Sequence, residues 1–203
     1  MNAAAHPAGA DPFAEFRALF AAAHAVDRAR LPEPTAMVLA TVGPDGAPSA
    51  RVVLLKALDD RGFVFYTNHE SRKAREIAHE ARVALLFHWQ ALEWQVRVEG
   101  RAEMVSDAEA DAYFATRARE SQIGAWASLQ SAPLDSDARL DARVREMEAR
   151  FAGGAVPRPP HWGGYRVIPS RIEFWRNRAH RLHERRVFER APGGGWSMHR
   201  LFP

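Results

Sequence analysis

Cysteine is absent from the 203-residue chain, which excludes disulfides, a thiolate nucleophile and any zinc–thiolate centre. Lysine is almost absent: of 28 Lys and Arg residues, only Lys56 and Lys73 are lysines. No apolar run approaches the roughly 20 residues that span a bilayer, and the opening Met1-Asn-Ala-Ala-Ala-His-Pro-Ala-Gly-Ala10 lacks the basic start and apolar core of a secretory leader. A soluble, cytoplasmic protein without a membrane partner is expected. A large charge excess is missing too. The formal net charge is +3, and the arginines are interleaved with acids rather than gathered into a basic stripe, which argues against nucleic acid. No HExxH or comparable ligand set is present, so no metal is expected.

What remains suits one folded unit. With 47% hydrophobic and 26% charged residues the chain can bury a full core, and the expected organisation is a flexible tail over 1–10 followed by a single domain over 11–203. Asp11-Pro12 supplies an N-cap and N1 proline for a helix with Phe13, Phe16 and Phe20 on its buried stripe, ended by Leu31-Pro-Glu-Pro34. Ala36 to Val42 reads as a strand, Gly43-Pro-Asp-Gly46 as its turn, and Arg51 to Lys56 as a buried partner strand. Phe63 to Tyr66 is a further strand, and Ser71 caps a helix. Val83 to Phe87 and Trp94 to Val105 read as antiparallel neighbours, the second with Gln95, Arg97 and Glu99 on one face and Trp94, Val96 and Val98 on the other. Ser106 and Glu109 form a capping box. Arg119 to Ser128 is a short helix, and Leu140, Val144, Met147 and Phe151 mark a longer one. Tyr165 to Ile168, Ile172 to Arg176, His183 to Phe188 and Trp196 to Leu201 are the closing strands. Many short strands without regular βα alternation argue for a mainly β, α+β fold: an antiparallel barrel with helical insertions.

Three groupings carry candidate chemistry. Arg72 and Lys73 in the first turn of the Ser71 helix oppose the helix dipole, a conflict that a bound phosphate removes and that a solvated basic helix start tolerates at small cost. Tyr113, Arg117 and Ser121, four residues apart, share a face if their helix continues; phenol, guanidinium fork and hydroxyl suit a phosphate monoester, or form a surface ladder. In Arg181-Leu-His-Glu-Arg185 a strand would place Arg181, His183 and Arg185 on one side, either as an anion-seeking face or as a solvated edge strand.

The runs Arg51-Val-Val-Leu-Leu-Lys56, Phe65-Tyr-Thr-Asn68, Ser71-Arg-Lys73, Ser121-Gln-Ile-Gly-Ala-Trp126, Gln130-Ser131, Phe174-Trp175 and Arg181-Leu-His183 occur in one order. In this the chain resembles the pyridoxamine 5′-phosphate oxidase family from about Asp11 to Pro203. The resemblance implies a split β-barrel binding flavin mononucleotide (FMN) at a homodimer interface. It also implies oxidation of pyridoxamine 5′-phosphate or pyridoxine 5′-phosphate to pyridoxal 5′-phosphate, with dioxygen as acceptor. By the same resemblance Arg51, Val52, Val53, Leu54, Leu55, Lys56, Tyr66, Thr67, Arg72, Lys73, Gln95, Gln130, Ser131, Trp175 and Arg185 match cofactor-binding positions. Lys56, Tyr113, Arg117, Ser121, Arg181 and His183 match substrate-binding ones, with Arg181 and His183 also catalytic. Three features depart from the pattern: residues 1–10 show no counterpart of an Arg- and Tyr-containing lid, Trp94 stands where arginine is usual, and Trp175-Arg-Asn-Arg-Ala-His180 is unusually basic.

Overall fold

The computed structural model describes residues 11–203, so the expected tail and the lid comparison lie outside the described residues. Helix α1 (Pro12–Ala25) opens as its cap predicts: the Asp11 carboxylate accepts from the Phe13 N–H at 2.9 Å. It stops at Ala25, well before Leu31, because Val26 turns extended. Its Phe16 is fully buried between Phe63 and Phe87, each ring centre 4.9 Å away. A phenylalanine buried this way stabilises the fold by about 1.5–3 kcal/mol.

Strands β1 (Ala36–Val42) and β2 (Pro48–Leu54) form the expected hairpin, with Leu39 opposite Arg51. Then follow β3 (Ala57–Leu58), β4 (Phe63–Asn68), α2 (Arg72–His79), β5 (Arg82–Trp89), β6 (Trp94–Met104), α3 (Asp107–Ala115), α4 (Arg119–Ala127), α5 (Asp137–Arg150), β7 (Trp162–Arg176), β8 (Glu184–Arg190) and β9 (Trp196–Arg200). All pair antiparallel in one nine-stranded sheet of order β2-β1-β5-β6-β7-β4-β3, with β8 on β7 and β9 on β8.

The four expected closing strands are three. Tyr165–Ile168 and Ile172–Arg176 belong to the single 15-residue β7, which a register shift opposite Glu99 and Gly100 bends rather than breaks. A Cβ on Gly100 would stand 2.2 Å from the Ile168 carbonyl oxygen, so glycine is required at this bend. One edge of β7 runs along β6, and its other edge is divided: β4 takes the first half, Asn68 opposite Trp162, and β8 the second, Trp175 opposite Arg185. That division is the split of the barrel.

The sheet curls around a core of Phe16, Leu39, Phe63, Phe65, Leu85, Phe87, Val96, Val98, Ile172 and Phe174. A second, smaller core joins α3–α5 to the sheet through Phe114, Ile123, Met147 and Trp162.

Two local expectations fail. Arg51 to Lys56 is not a buried strand: β2 is a sheet edge, Val52 is 64% exposed, and only Leu55 is fully buried, with Val53 packed against the core. Arg181, His183 and Arg185 do not alternate along a strand either. His180 and Arg181 take left-handed backbone, with φ of 58° and 60°, inside a tight turn, and β8 begins only at Glu184. The run of charged residues offers no apolar face to hold an earlier strand against the sheet.

Candidate active site

A pocket of about 470 Å³ lies between the edge strand β2, the end of β4, the start of α2 and the α3–α4 junction. Val52, Val53, Leu54 and Lys56 form one wall, and Tyr66, Thr67 and Lys73 another; Tyr113, Arg117, Ala118, Ser121, Gln130 and Trp162 complete it. Its lining holds three cationic side chains and no acid.

Lys56 follows the end of β2, where its N–H donates to the Val64 carbonyl at 2.8 Å. Lys73 comes from the first turn of α2, and its Nζ donates to Thr67 Oγ1 at 3.2 Å. Burial, reinforced by the Arg51 charge, pushes the Lys73 ammonium below the usual lysine range. Thr67 in turn donates to Gln130 Oε1 at 3.2 Å, tying β4 to the loop after α4.

Tyr113, Arg117 and Ser121 meet here although no continuous helix carries them. Helix α3 stops at Ala115, Thr116 caps it by donating its hydroxyl to the Tyr113 carbonyl at 2.8 Å, and Ala118 is non-helical before α4 starts. The guanidinium of Arg117 lies 4.8 Å above the Trp162 ring and 5.4 Å from Phe114. Its Nη1 is buried without a hydrogen-bond partner, and burial lowers its pKa. An unpaired buried guanidinium nitrogen costs free energy that an anionic ligand restores.

Tyr66, Tyr113 and Trp162 lie nearly parallel, with Tyr66 4.1 Å from Tyr113 and 5.3 Å from Trp162. Trp162 and Ala118 are members of the pocket that the sequence reading missed. The signal for Trp162 was weak: an aromatic just before Gly163-Gly164, at the start of a strand, reads as ordinary core.

The other candidate residues lie elsewhere. Leu55 is in the core. Arg51 spends both terminal nitrogens on β1, β2 and Glu76. Arg72 donates Nε to Glu76 at 2.8 Å, and its N–H donates to Ser131 Oγ at 3.1 Å. Gln95, Trp175 and Arg185 form a cross-strand row on β6, β7 and β8. The His183 ring lies 4.5 Å from Trp175, tilted by 39°, and its Nδ1 accepts from the Arg178 N–H at 3.3 Å. Arg185 donates Nε to the buried Glu173 at 2.7 Å.

This second group, with Arg181, sits at the far end of β7 from Trp162. Strand rise puts these ends about 40 Å apart along the chain. None of this second group lines the pocket. Each of the two groups exposes an apolar side chain beside its polar residues, Val52 at 64% and Leu182 at 68%.

Residues 24–154 match the family model described as pyridoxamine 5′-phosphate oxidase, and residues 162–203 match the pyridoxine 5′-phosphate oxidase C-terminal dimerisation region. The chain belongs to the pyridoxamine 5′-phosphate oxidase family. It is 60% identical over 193 residues to the pyridoxine/pyridoxamine 5′-phosphate oxidase of Myxococcus xanthus (strain DK1622), covering 95% of this chain and 92% of that protein. Among solved structures, PhzG from Burkholderia lata 383 in complex with tetrahydrophenazine-1-carboxylic acid superposes with a TM-score of 0.88 at 34% identity, over 97% of this chain and 94% of that one. A pyridoxamine 5′-phosphate oxidase-related, FMN binding protein from Nostoc punctiforme PCC 73102 shares the fold, with a TM-score of 0.74 at 15% identity over 96% of this chain and 100% of that one. The family thus includes the split-barrel architecture built here from strand pairing.

Among the described residues, no helix is long and apolar enough to cross a membrane.

Proposed function

We propose that this protein is an FMN-dependent oxidase that converts pyridoxamine 5′-phosphate or pyridoxine 5′-phosphate to pyridoxal 5′-phosphate. One observation carries the reading: in a member of this family, Lys56, Lys73 and the unpartnered Arg117 Nη1 converge on a pocket with no acidic lining. The donor set fits phosphorylated, planar ligands, with phosphate taken by cations and ring faces by Tyr66 and Trp162.

Lys73, Thr67, Gln130, Arg72 and Ser131 would hold the FMN phosphate end, with Arg51 behind them. Val52, Val53, Leu54, Leu55, Lys56 and Tyr66 are assigned to the rest of that cofactor. Bound FMN supplies the two-electron acceptor for the substrate and the route to dioxygen. Lys56, Tyr113, Arg117 and Ser121 clamp the substrate phosphate and fix its distance from the reacting carbon. Arg181 and His183 orient the amine or alcohol group. Because His183 Nδ1 accepts from the Arg178 N–H, Nε2 is the ring position left to donate when the imidazole is neutral.

The alcohol substrate and dioxygen give pyridoxal 5′-phosphate and hydrogen peroxide; the amine also consumes water and releases ammonia. In this reading the enzyme is a homodimer in which Gln95, Trp175, Arg181, His183 and Arg185 of one copy complete the pocket of the other; the match of residues 162–203 to the family's dimerisation region supports it.

The test is an aerobic assay of purified protein with FMN and each substrate, following pyridoxal 5′-phosphate and hydrogen peroxide together. Both products rise in step if the proposal holds. A protein that retains FMN yet turns over neither substrate refutes it. That outcome favours a second reading, oxidation of a phenazine precursor, which the similarity to PhzG in its tetrahydrophenazine-1-carboxylic acid complex motivates.

A further inference from the structure

Glu76 belongs to none of the motifs above, yet it is the most heavily bonded carboxylate beside the pocket. It sits on the inner face of α2 with only 5% of its side chain accessible. Oε2 accepts from Thr41 Oγ1 at 2.6 Å, Ser49 Oγ at 2.7 Å and Arg51 Nη2 at 2.9 Å. Oε1 accepts from Arg72 Nε at 2.8 Å. One carboxylate therefore joins β1, β2 and α2 and holds two arginines from different elements.

The two arginines are held differently. Arg51 is turned inward: Nη1 also donates to the Leu39 carbonyl and Thr41 Oγ1, and Nη2 to Ser49 Oγ. Arg72 is held only by Nε, with 64% of its side chain exposed and no bond from its terminal nitrogens among the described residues. Its fork is free to take an oxyanion beside Lys73 and Ser131. Without the carboxylate, Arg51, Arg72 and Lys73 would crowd like charges at one helix start with nothing to fix their directions.

We propose that Glu76 is a positioning residue of the cofactor-phosphate site, aiming the Arg72 fork and neutralising Arg51 so that Lys73 and Arg72 face the phosphate as an ordered pair. This rests on the assignment of that site to FMN in the proposed function. It adds a carboxylate, which never touches the ligand, as the part that sets the phosphate contribution to binding.

The experiment compares FMN with riboflavin, the same ring system without the phosphate, by flavin-fluorescence quenching on the full-length apoprotein. Glu76→Gln keeps an oxygen for Thr41 and Ser49 but removes the charge that holds the arginines. Its Kd for FMN should rise about tenfold, equivalent to about 1.4 kcal/mol, while its Kd for riboflavin stays within about twofold of wild type. Glu76→Asp keeps the charge but loses the reach, so it should show the same phosphate-selective loss; it carries the test if the glutamine variant does not fold. A wild-type preference for FMN over riboflavin that persists in the folded variants, or an equal loss for both ligands, overturns the positioning role. Wild-type protein that does not prefer FMN to riboflavin instead overturns the cofactor assignment, and this inference with it.

Discussion

Replacing Arg117 by alanine tests the proposed division between a substrate phosphate site and a flavin phosphate site. In the protein without substrate, the guanidinium rests 4.8 Å over Trp162 with Nη1 buried and unpartnered. Its removal therefore costs a cation–π contact of about 0.5–2 kcal/mol and relieves an unsatisfied buried donor worth about 1–3 kcal/mol. The two nearly cancel, so the melting temperature should move by no more than about 4 °C. With substrate bound the balance differs, because a charge-assisted hydrogen bond to phosphate contributes about 1.5–3 kcal/mol. KM for pyridoxine 5′-phosphate should then rise about 10- to 150-fold, with the flavin content of the purified protein unchanged. Steady-state kinetics and the flavin absorbance of the same preparation measure both. Loss of flavin with KM unaltered would show that Arg117 serves the cofactor and that the division of the two phosphate sites is wrong.

Gly164→Ala tests whether Tyr66 is held in place by the strand behind it. The added Cβ would lie 2.8 Å from Tyr66 Cδ1 and 2.9 Å from Val105 Cγ2, so the ring must move; a stability loss of about 1–3 kcal/mol and weaker FMN binding should appear together in urea unfolding and flavin titration. Acid should act through Glu76, whose four hydrogen bonds hold its pKa down to about 2 from 4.5. A depressed carboxylate contributes stability that is complete above the unfolded pKa and lost as pH falls through the folded one. The charge-dependent part of the advantage of wild type over Glu76→Gln, on the order of 3 kcal/mol from that difference, should thus be lost steadily between pH 4.5 and about 2. Urea midpoints that differ equally at all pH values would contradict this.

The elements with strong local chemistry were legible in the sequence. Asp11-Pro12, the Ser106/Glu109 capping box and the Gly43–Gly46 turn each mark a boundary by hydrogen bonds or backbone freedom within a few residues, and all three stand as read. The alternation of β6 was equally clear, with Val96 and Val98 fully buried and Arg97 exposed. Errors came where tertiary position overrides a local pattern. Val52 to Leu55 looks like core because four apolar residues adjoin, but β2 is the last strand of its sheet edge, and among the described residues no strand covers Val52. The buried Glu76 was invisible for the converse reason: its i,i+4 pairing with Arg72 reads as a surface ion pair, and only Thr41, Ser49 and Arg51 on other elements make it an interior one.

Tyr113, Arg117 and Ser121 come together, but not by the geometry their spacing suggested. The helical spacing that suggested one face is interrupted at Thr116 and Ala118, yet the break turns α4 back so that Ser121 and Arg117 still line the pocket with Tyr113. The Arg181–Arg185 run shows the opposite. Its residues gather, with His183 on Trp175 and Arg185 across from it, but none of them lines the pocket of their own chain. In the proposed function a second copy brings the two groups together, and residues 162–203, which carry the Arg181–Arg185 run, match the family's dimerisation region.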